Sequence, residues 1–313
     1  MSSDTPHALN WCYDVLTHGV YSLANDYCNY LKNQITDKTT FENFNNFQNK
    51  NKIRYADIKL NDQFRVKIQK EGTSTDFIHA NYIITPFNKK RFIATQGPLS
   101  STIKDFWKMV IENNVEGIVM LCNTIENNKE KCALYFPNIV GSNIIIDDII
   151  IRCLEMGPIS EECKEVTKTI LEVNYKNGNE FINRFVCHYS WTNWPDRSVP
   201  RDIKPLILIL DSIRHHKTPV VVHCSAGIGR TGCLIAIEHY LEQVINNNKL
   251  DDGLKYVKFL RTMRQHAIQT EKQYVFIHYC IIKIVLGNFK HLLSPGAKEI
   301  FEKFEKDYET FIN

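Results

Sequence analysis

One fifteen-residue stretch, TPVVVHCSAGIGRTG at 218–232, constrains this chain more than any other. It reads as a buried strand, a glycine-bearing loop and a helix start, and that geometry makes an anion cradle. Gly227 and Gly229 let consecutive backbone N–H groups turn inward, and the helix beginning near Arg230 adds its positive end. A phosphate or sulfate fits there. Cys224 opens the loop and Arg230 closes it with five residues between, so the sulfur lies beneath the anion while the guanidinium grips two oxygens as a fork. The same positive surroundings favour a thiolate, the form in which cysteine is a nucleophile. Core packing offers no reason to set His, Cys, Ser, two Gly, Arg and Thr in this order between a valine triplet and an amphipathic helix. Cys224 is therefore read as functional. The other nine cysteines, at 12, 28, 122, 132, 153, 163, 187, 233 and 280, are read as small buried hydrophobes. They form neither a C-x-x-C pair nor a tight Cys/His group, so no metal site and no cofactor is expected. A nucleotide P-loop would need a lysine after its second glycine, and none is present.

With 38 Lys and Arg against 35 Asp and Glu, the chain has no polycationic field for nucleic acid or anionic lipid, so any anion site is local. Its apolar runs, at 144–146, 149–151 and 280–286, stop far short of the roughly 18 residues a membrane span needs. The first twenty residues lack a basic start followed by an unbroken apolar stretch, which argues against a secretory signal. A reducing cytoplasm is the expected location.

No repeat or linker divides the 313 residues, so one large domain is the better count. Strand-like stretches rich in Ile, Val, Phe and Tyr recur at 77–84, 91–95, 117–121, 143–153, 167–174, 183–191 and 220–223. Helical spacing of apolar residues marks 202–216, 232–245, 253–265 and 272–286. An α/β or α+β domain follows, a central twisted mixed sheet flanked by helices. Phe301, Phe304, Tyr308 and Phe311 line one face of a terminal helix over 295–313, read as docked on the domain, with a partner-binding helix as the lesser alternative.

The loop from His223 to Arg230, with Ser225, Ala226, Gly227, Ile228, Gly229 and then Thr231 and Gly232, resembles the HC-x5-R signature of the cysteine-dependent protein tyrosine phosphatases. Further motifs follow in that family's order from about 41 to 279. KNKIRYAD at 50–57 is similar to its phosphotyrosine-recognition loop, implying Tyr55 as a pocket wall and Asp57 as a holder of substrate backbone. Ile53 stands where the family usually has Asn, which implies altered hydrogen bonding in that loop. DFIHANYI at 76–83 and ATQGP at 94–98 look like core strand motifs. IVML at 118–121 with Glu126 and KCALYFP at 131–137 resembles the loop whose Glu orients the catalytic Arg; Lys131 belongs to it. WPD at 194–196 resembles the mobile acid loop, and the chemistry requires such a residue, because a tyrosyl oxygen is a poor leaving group unless a carboxylic acid protonates it. Asp196 takes that role by resemblance. Its flank departs from the pattern, with Trp191 in place of Tyr or Phe and Arg197-Ser198 in place of an aromatic or His followed by Gly; a stiffened loop is expected. IQTEKQY at 268–274 is similar to the segment whose glutamines, here Gln269 and Gln273, position the hydrolytic water. Arg261 and Arg264 occupy basic positions before it, with Met263 between them in place of a Gln, and Arg261 could approach substrate or brace the core.

The resemblance implies a protein-tyrosine phosphatase acting on phosphotyrosine-containing proteins: Cys224 as nucleophile, Arg230 and the loop amides as oxyanion holders, Asp196 as acid then base, Gln269 with the water and Thr231 donating to the leaving thiolate. The alternatives are a pseudophosphatase that binds without turnover and a phosphoinositide phosphatase, the latter expected to carry lysines where Ala226 and Ile228 stand. The expected division is an N-terminal helical extension at 1–35, a catalytic domain at 36–290 and a C-terminal helix at 291–313. The Asn, Ile and Lys bias, strongest at 41–53 and 246–249, makes the chain look like the compact phosphatases of the bracoviruses of parasitoid wasps, which implies action in the cytoplasm of an infected host cell.

Overall fold

The computed structural model describes residues 7–34, 39–70, 75–178, 180–289 and 295–313. The expected boundaries at 35/36 and 290/291 lie outside the described residues. The chain enters through His7–His18 (α1) and Val20–Asp26 (α2), then a short Glu42–Asn45 helix (α3). Strands Arg65–Lys67 (β1), Phe77–Ile83 (β2) and Phe92–Thr95 (β3) precede helix Ile103–Glu112 (α4) and strand Gly117–Met120 (β4). A small hairpin, Ile125–Glu126 (β5) with Lys129–Glu130 (β6), leads to the long strands Asn143–Ile146 (β7), Ile149–Ser160 (β8), Cys163–Asn177 (β9) and Glu180–Trp191 (β10). Helix Lys204–Ile213 (α5), strand Val220–His223 (β11) and helices Arg230–Ile245 (α6), Gly253–Met263 (α7), Glu271–Phe289 (α8) and Pro295–Ile312 (α9) complete it.

Nine strands form one sheet in the order β1-β2-β3-β11-β4-β10-β9-β8-β7. Its centre is parallel: Val221 of β11 lies between Ile93 of β3 and Ile118 of β4, and β10 runs parallel to β4. The outer strands are antiparallel, so the sheet is mixed. A strand covered on both faces must be apolar throughout, and Val220, Val221 and Val222 are all fully buried. Parallel strands present ligands at their carboxyl ends, and there β11 delivers Cys224.

Helix α6 is buried on nearly every side from Arg230 to Gln243, which its weakly amphipathic sequence permits, since a helix apolar all round belongs inside. Its two fully buried carboxylates are answered by arginines: Arg214 pairs with Glu238 at 2.9 Å, and Arg91 reaches Glu238 at 3.8 Å and Glu242 at 3.6 Å. Helix α8 packs on α6, and α1, α2 and α9 pack on α8; Tyr279 stacks on Tyr308 at 3.8 Å.

Two sequence expectations need correction. The stretch 143–153 is two strands, β7 and the start of β8, turned at Asp147 in the left-handed region (φ 53°). The Asp pair between two Ile triplets was the turn signal. Helix α4 went unseen because IKDFWKMVIE mixes aromatic and β-branched residues; what makes it a helix is the strip Phe106, Trp107, Met109 and Val110 buried against the sheet.

Candidate active site

Between β11 and α6 the chain makes six residues of non-repetitive loop, 224–229, and no backbone N–H from Ser225 to Gly229 donates to a protein acceptor among the described residues. Five amides left free at a helix N-terminus are a built anion site. Gly227 takes φ 68°, and a Cβ there would collide with the Thr95 carbonyl, so only glycine fits. Gly229 has an ordinary φ of −78° and is needed for another reason: a Cβ there would strike the Gln269 side chain. Arg264 braces the loop from beneath, donating to the carbonyls of Ala226 (2.9 Å) and Gly227 (3.1 Å) and to Asn81 (3.0 Å). Burial brings this guanidinium down to about 9, with the Cys224 charge opposing the shift.

Arg230 is 2% exposed. Glu126 receives two of its N–H groups at 2.6 and 2.7 Å in a bidentate fork, and the carbonyls of Leu121 and Trp194 receive more at 2.8 and 3.1 Å. Burial works against its charge, but Glu126 and then Cys224 outweigh that and hold the proton more firmly than usual. Asp196 stands across the pocket, bonded to Arg230 at 3.1 Å and to Lys131 at 2.9 Å. Burial pushes its carboxyl up, while Lys131 and Arg230 more than offset this, so it sits below the ordinary carboxylate range. The hydrogen bond to Asp196 raises Lys131 in turn.

Tyr55, Asp57, Glu126, Lys131, Asp196, Cys224, Ser225, Ala226, Arg230, Gln269 and Gln273 line one cavity of about 310 Å³. Tyr55 is tied to Ser225 by a 2.8 Å hydrogen bond between hydroxyls, and Asp57 is exposed at the rim. Gln273 accepts the Gln269 backbone N–H at 2.8 Å, which sets the direction of the Gln269 segment. Thr231 is fully buried and its hydroxyl has no partner among the described residues, leaving it for the site. His223 lies behind the cavity wall, hydrogen-bonded with Tyr135 at 2.8 Å. Ile228 is buried and lines the neighbouring cavity and not this one, so its backbone is what it offers the cradle.

This arrangement is the one that the resemblance of the 223–230 loop implies, and the comparisons show the family. The protein-tyrosine phosphatase family model matches residues 49–283. The chain belongs to the protein-tyrosine phosphatase family. Human receptor-type tyrosine-protein phosphatase zeta is 36% identical over 267 residues, 82% of this chain but 11% of that protein. A rat relative named phosphatidylinositol phosphatase PTPRQ is 35% identical over 249 residues, 78% of this chain and 10% of its own length. The chain thus spans about a tenth of these relatives. The catalytic domain of human protein tyrosine phosphatase non-receptor type 18 superposes with TM-score 0.76 at 25% identity, covering 90% of this chain and 99% of that one. The same phosphatase in complex with HER2 phosphopeptides gives 0.80, covering 88% and 98%. The mixed sheet flanked by helices is this family's fold.

Several residues of the site escaped the sequence reading. Arg54, beside Tyr55, donates to the carbonyls of Gly97, Pro98 and Glu130 and so binds the recognition loop to the Glu126 loop; Ile58 adds apolar lining. The signal for Arg54 was its place next to a pocket aromatic in an otherwise Asn- and Lys-rich loop. Arg261 turns out to be a brace: it is 2% exposed and donates to the carbonyls of Leu31, Ala267 and Ile268. Ile53 packs with Phe41, Phe44, Leu60 and Phe77 in a satellite apolar cluster. On the acid loop the left-handed residue is Arg197 (φ 56°), while Ser198 is not among the positive-φ residues. Losing a glycine at 198 therefore carries no backbone strain.

Proposed function

We propose that this chain hydrolyses phosphotyrosine in proteins through a cysteinyl-phosphate. What supports the reading is that Cys224, Arg230, Asp196 and Gln269, from three separate segments, meet at one cavity. In the first step the Cys224 thiolate attacks phosphorus while Arg230 and the loop amides hold the equatorial oxygens. The tyrosyl oxygen leaves with the Asp196 proton. Free of substrate, Asp196 is a carboxylate paired with Arg230 and Lys131. An incoming phosphate competes for Arg230, which loosens that pair and lets Asp196 take up the proton it must donate. In the second step Asp196 removes a proton from water, Gln269 orients that water, phosphorus passes to it, and Thr231 donates to the departing thiolate. Wall residue Tyr55 favours a long aryl phosphate over a short side chain.

The test compares kcat/KM on matched phosphotyrosine and phosphoserine peptides and on a phosphoinositide, the substrate class in the name of one relative. A preference for phosphotyrosine is expected. Equal rates on phosphoserine, or a faster reaction on the phosphoinositide, overturn the substrate, and binding without turnover selects the pseudophosphatase. The Asn, Ile and Lys bias supports a place in the bracovirus branch and work in host cytoplasm, on host phosphotyrosine signalling proteins. No helix of the described residues is long and apolar enough to cross a membrane. Capture of phosphotyrosine proteins from insect cells by Asp196→Ala, released by vanadate, tests that assignment; capture of none counts against it.

A further inference from the structure

Behind the nucleophile lies a chain of three fully buried side chains. Tyr135 Oη is 2.7 Å from His188 Nε2 and 2.8 Å from His223 Nε2, and His223 Nδ1 is 3.2 Å from the Cys224 carbonyl oxygen. The phenol has one proton for two imidazoles, so one ring must donate to it and the other accept. His188 Nδ1 is buried with no partner among the described residues.

The hydrogen-bond count allows two directions. In one, His223 donates from Nε2 to Tyr135, Tyr135 donates to His188, and the remaining His188 proton sits on the orphaned Nδ1. A buried N–H is then left unmade, and the bare His223 Nδ1 faces a carbonyl oxygen unless the nearby Cys122 thiol caps it. In the other, His188 donates from Nε2, Tyr135 donates to His223 Nε2, and His223 Nδ1–H donates to the Cys224 carbonyl. Only a lone pair is orphaned. This direction leaves the smaller debt, and burial, with His223 nearby, keeps His188 neutral by drawing it down to about 3.

We propose that His188 is a positioning residue that sets the direction of this chain, so that it ends as a hydrogen bond from His223 Nδ1 to the Cys224 carbonyl. That carbonyl shares its peptide unit with the Ser225 N–H, the first free amide of the cradle. A hydrogen bond accepted at one end of a peptide strengthens donation at the other, so His188 tunes the cradle without touching substrate. The inference deepens the phosphatase reading and rests on it only for the consequence in turnover.

The experiment is imidazole ¹⁵N NMR of the full chain, which reports which ring nitrogen carries the proton. His223 is expected protonated at Nδ1 and His188 at Nε2. In His188→Leu the Tyr135 oxygen loses its donor and His223 shifts toward Nε2–H, whereas His188→Gln, whose amide can still donate, keeps the Nδ1–H form. Iodoacetamide alkylation of Cys224 at pH 6 is expected to slow about three- to tenfold in His188→Leu and to be rescued in His188→Gln. Tyr135→Phe, which removes the middle member, is the second variant should His188→Leu not fold, and it must slow alkylation similarly. His223 protonated at Nε2 in the wild type, or folded variants with unchanged tautomer and alkylation, overturn the proposal. Because neither readout needs substrate, the outcomes separate. A chain with the expected tautomers and no turnover leaves this inference standing and sinks the phosphatase; normal turnover with unmoved tautomers does the reverse.

Discussion

The loop proposed to hold the anion and the loop proposed to carry the acid face each other across one cavity, and they are built differently. The 224–230 loop is fixed from several sides at once. Gly227 has no room for a side chain, Arg264 ties two carbonyls from below, and Glu126 pins Arg230 by two short hydrogen bonds. The acid loop is anchored at its start, where Trp194 is buried between Trp191 (4.9 Å) and Phe276 (5.6 Å) and donates to the Ser198 carbonyl at 3.1 Å. Beyond that anchor it is held by side-chain links, Asp196 to Arg230 and Lys131, and Thr270 to the Arg197 carbonyl at 3.3 Å. A cradle that must meet the phosphate without reorganising is over-determined. In the proposed reaction the other loop must release product, and it is held by ion pairs that a substrate phosphate would displace.

Predictions can break that contrast. Cys224→Ser should remove turnover by on the order of 10⁴-fold or more while phosphotyrosine binding persists, because the cradle is backbone and the nucleophile is not. Appreciable single-turnover hydrolysis by this variant would falsify the nucleophile assignment. Asp196→Ala should lower kcat by about 10²–10⁴ on aryl phosphates with poor leaving groups and less on nitrophenyl phosphate. A leaving-group series in which every substrate loses the same small factor removes the acid role.

Gly227→Ala should destabilise the fold by at least about 2 kcal/mol and abolish phosphate binding, since both φ and the Thr95 carbonyl oppose a Cβ. Denaturant titration with and without phosphate checks this, and a well-folded variant that still binds phosphate would mean the cradle is as adaptable as the acid loop. Lys131→Met should move the alkaline limb of the kcat profile to higher pH. Asp196 must be protonated to act as acid, and Lys131 is the first of the groups that lower it. The sign also applies to stability. A depressed carboxyl supports the folded loop above its unfolded pKa, and that support fades as pH falls through the folded value, so acid should free the acid loop before it disturbs the cradle. Trp194 fluorescence against pH, beside global unfolding, reads the difference; coincident transitions would contradict it. The smallest effect belongs to Ser198→Gly, expected to leave kcat within about threefold, whereas Arg197→Gly relieves a left-handed residue and should stabilise closure by about 1 kcal/mol. Reversed effects would place the hinge at 198 after all.

Much of the site was legible because its chemistry is written locally. Strand, loop and helix start lie within fifteen residues, and β11 falls where the valine triplet requires it. Helices α6, α7 and α8 differ from the periodic reading by at most three residues at any end, the scale on which capping and fraying act. The long strands were underestimated: β9 begins at Cys163 where the sequence suggested 167, and β8 continues to Ser160 where it suggested 153. Their outer parts are polar and half exposed, so only pairing with a neighbouring strand makes them regular.

What the sequence determined by itself is the reacting unit, since the order of Cys, Gly, Gly and Arg sets the loop's backbone and its charge without reference to the rest. Tertiary structure alone decided how that unit is held. Arg54, Arg264, Tyr135 and His188 brace the site through side-chain hydrogen bonds that span 37 to 185 positions of sequence. A lone Arg or His in a sequence carries no mark of what it will meet, because the energy of a buried polar group depends on whether its partner arrives within hydrogen-bond distance, and only the folded chain settles that.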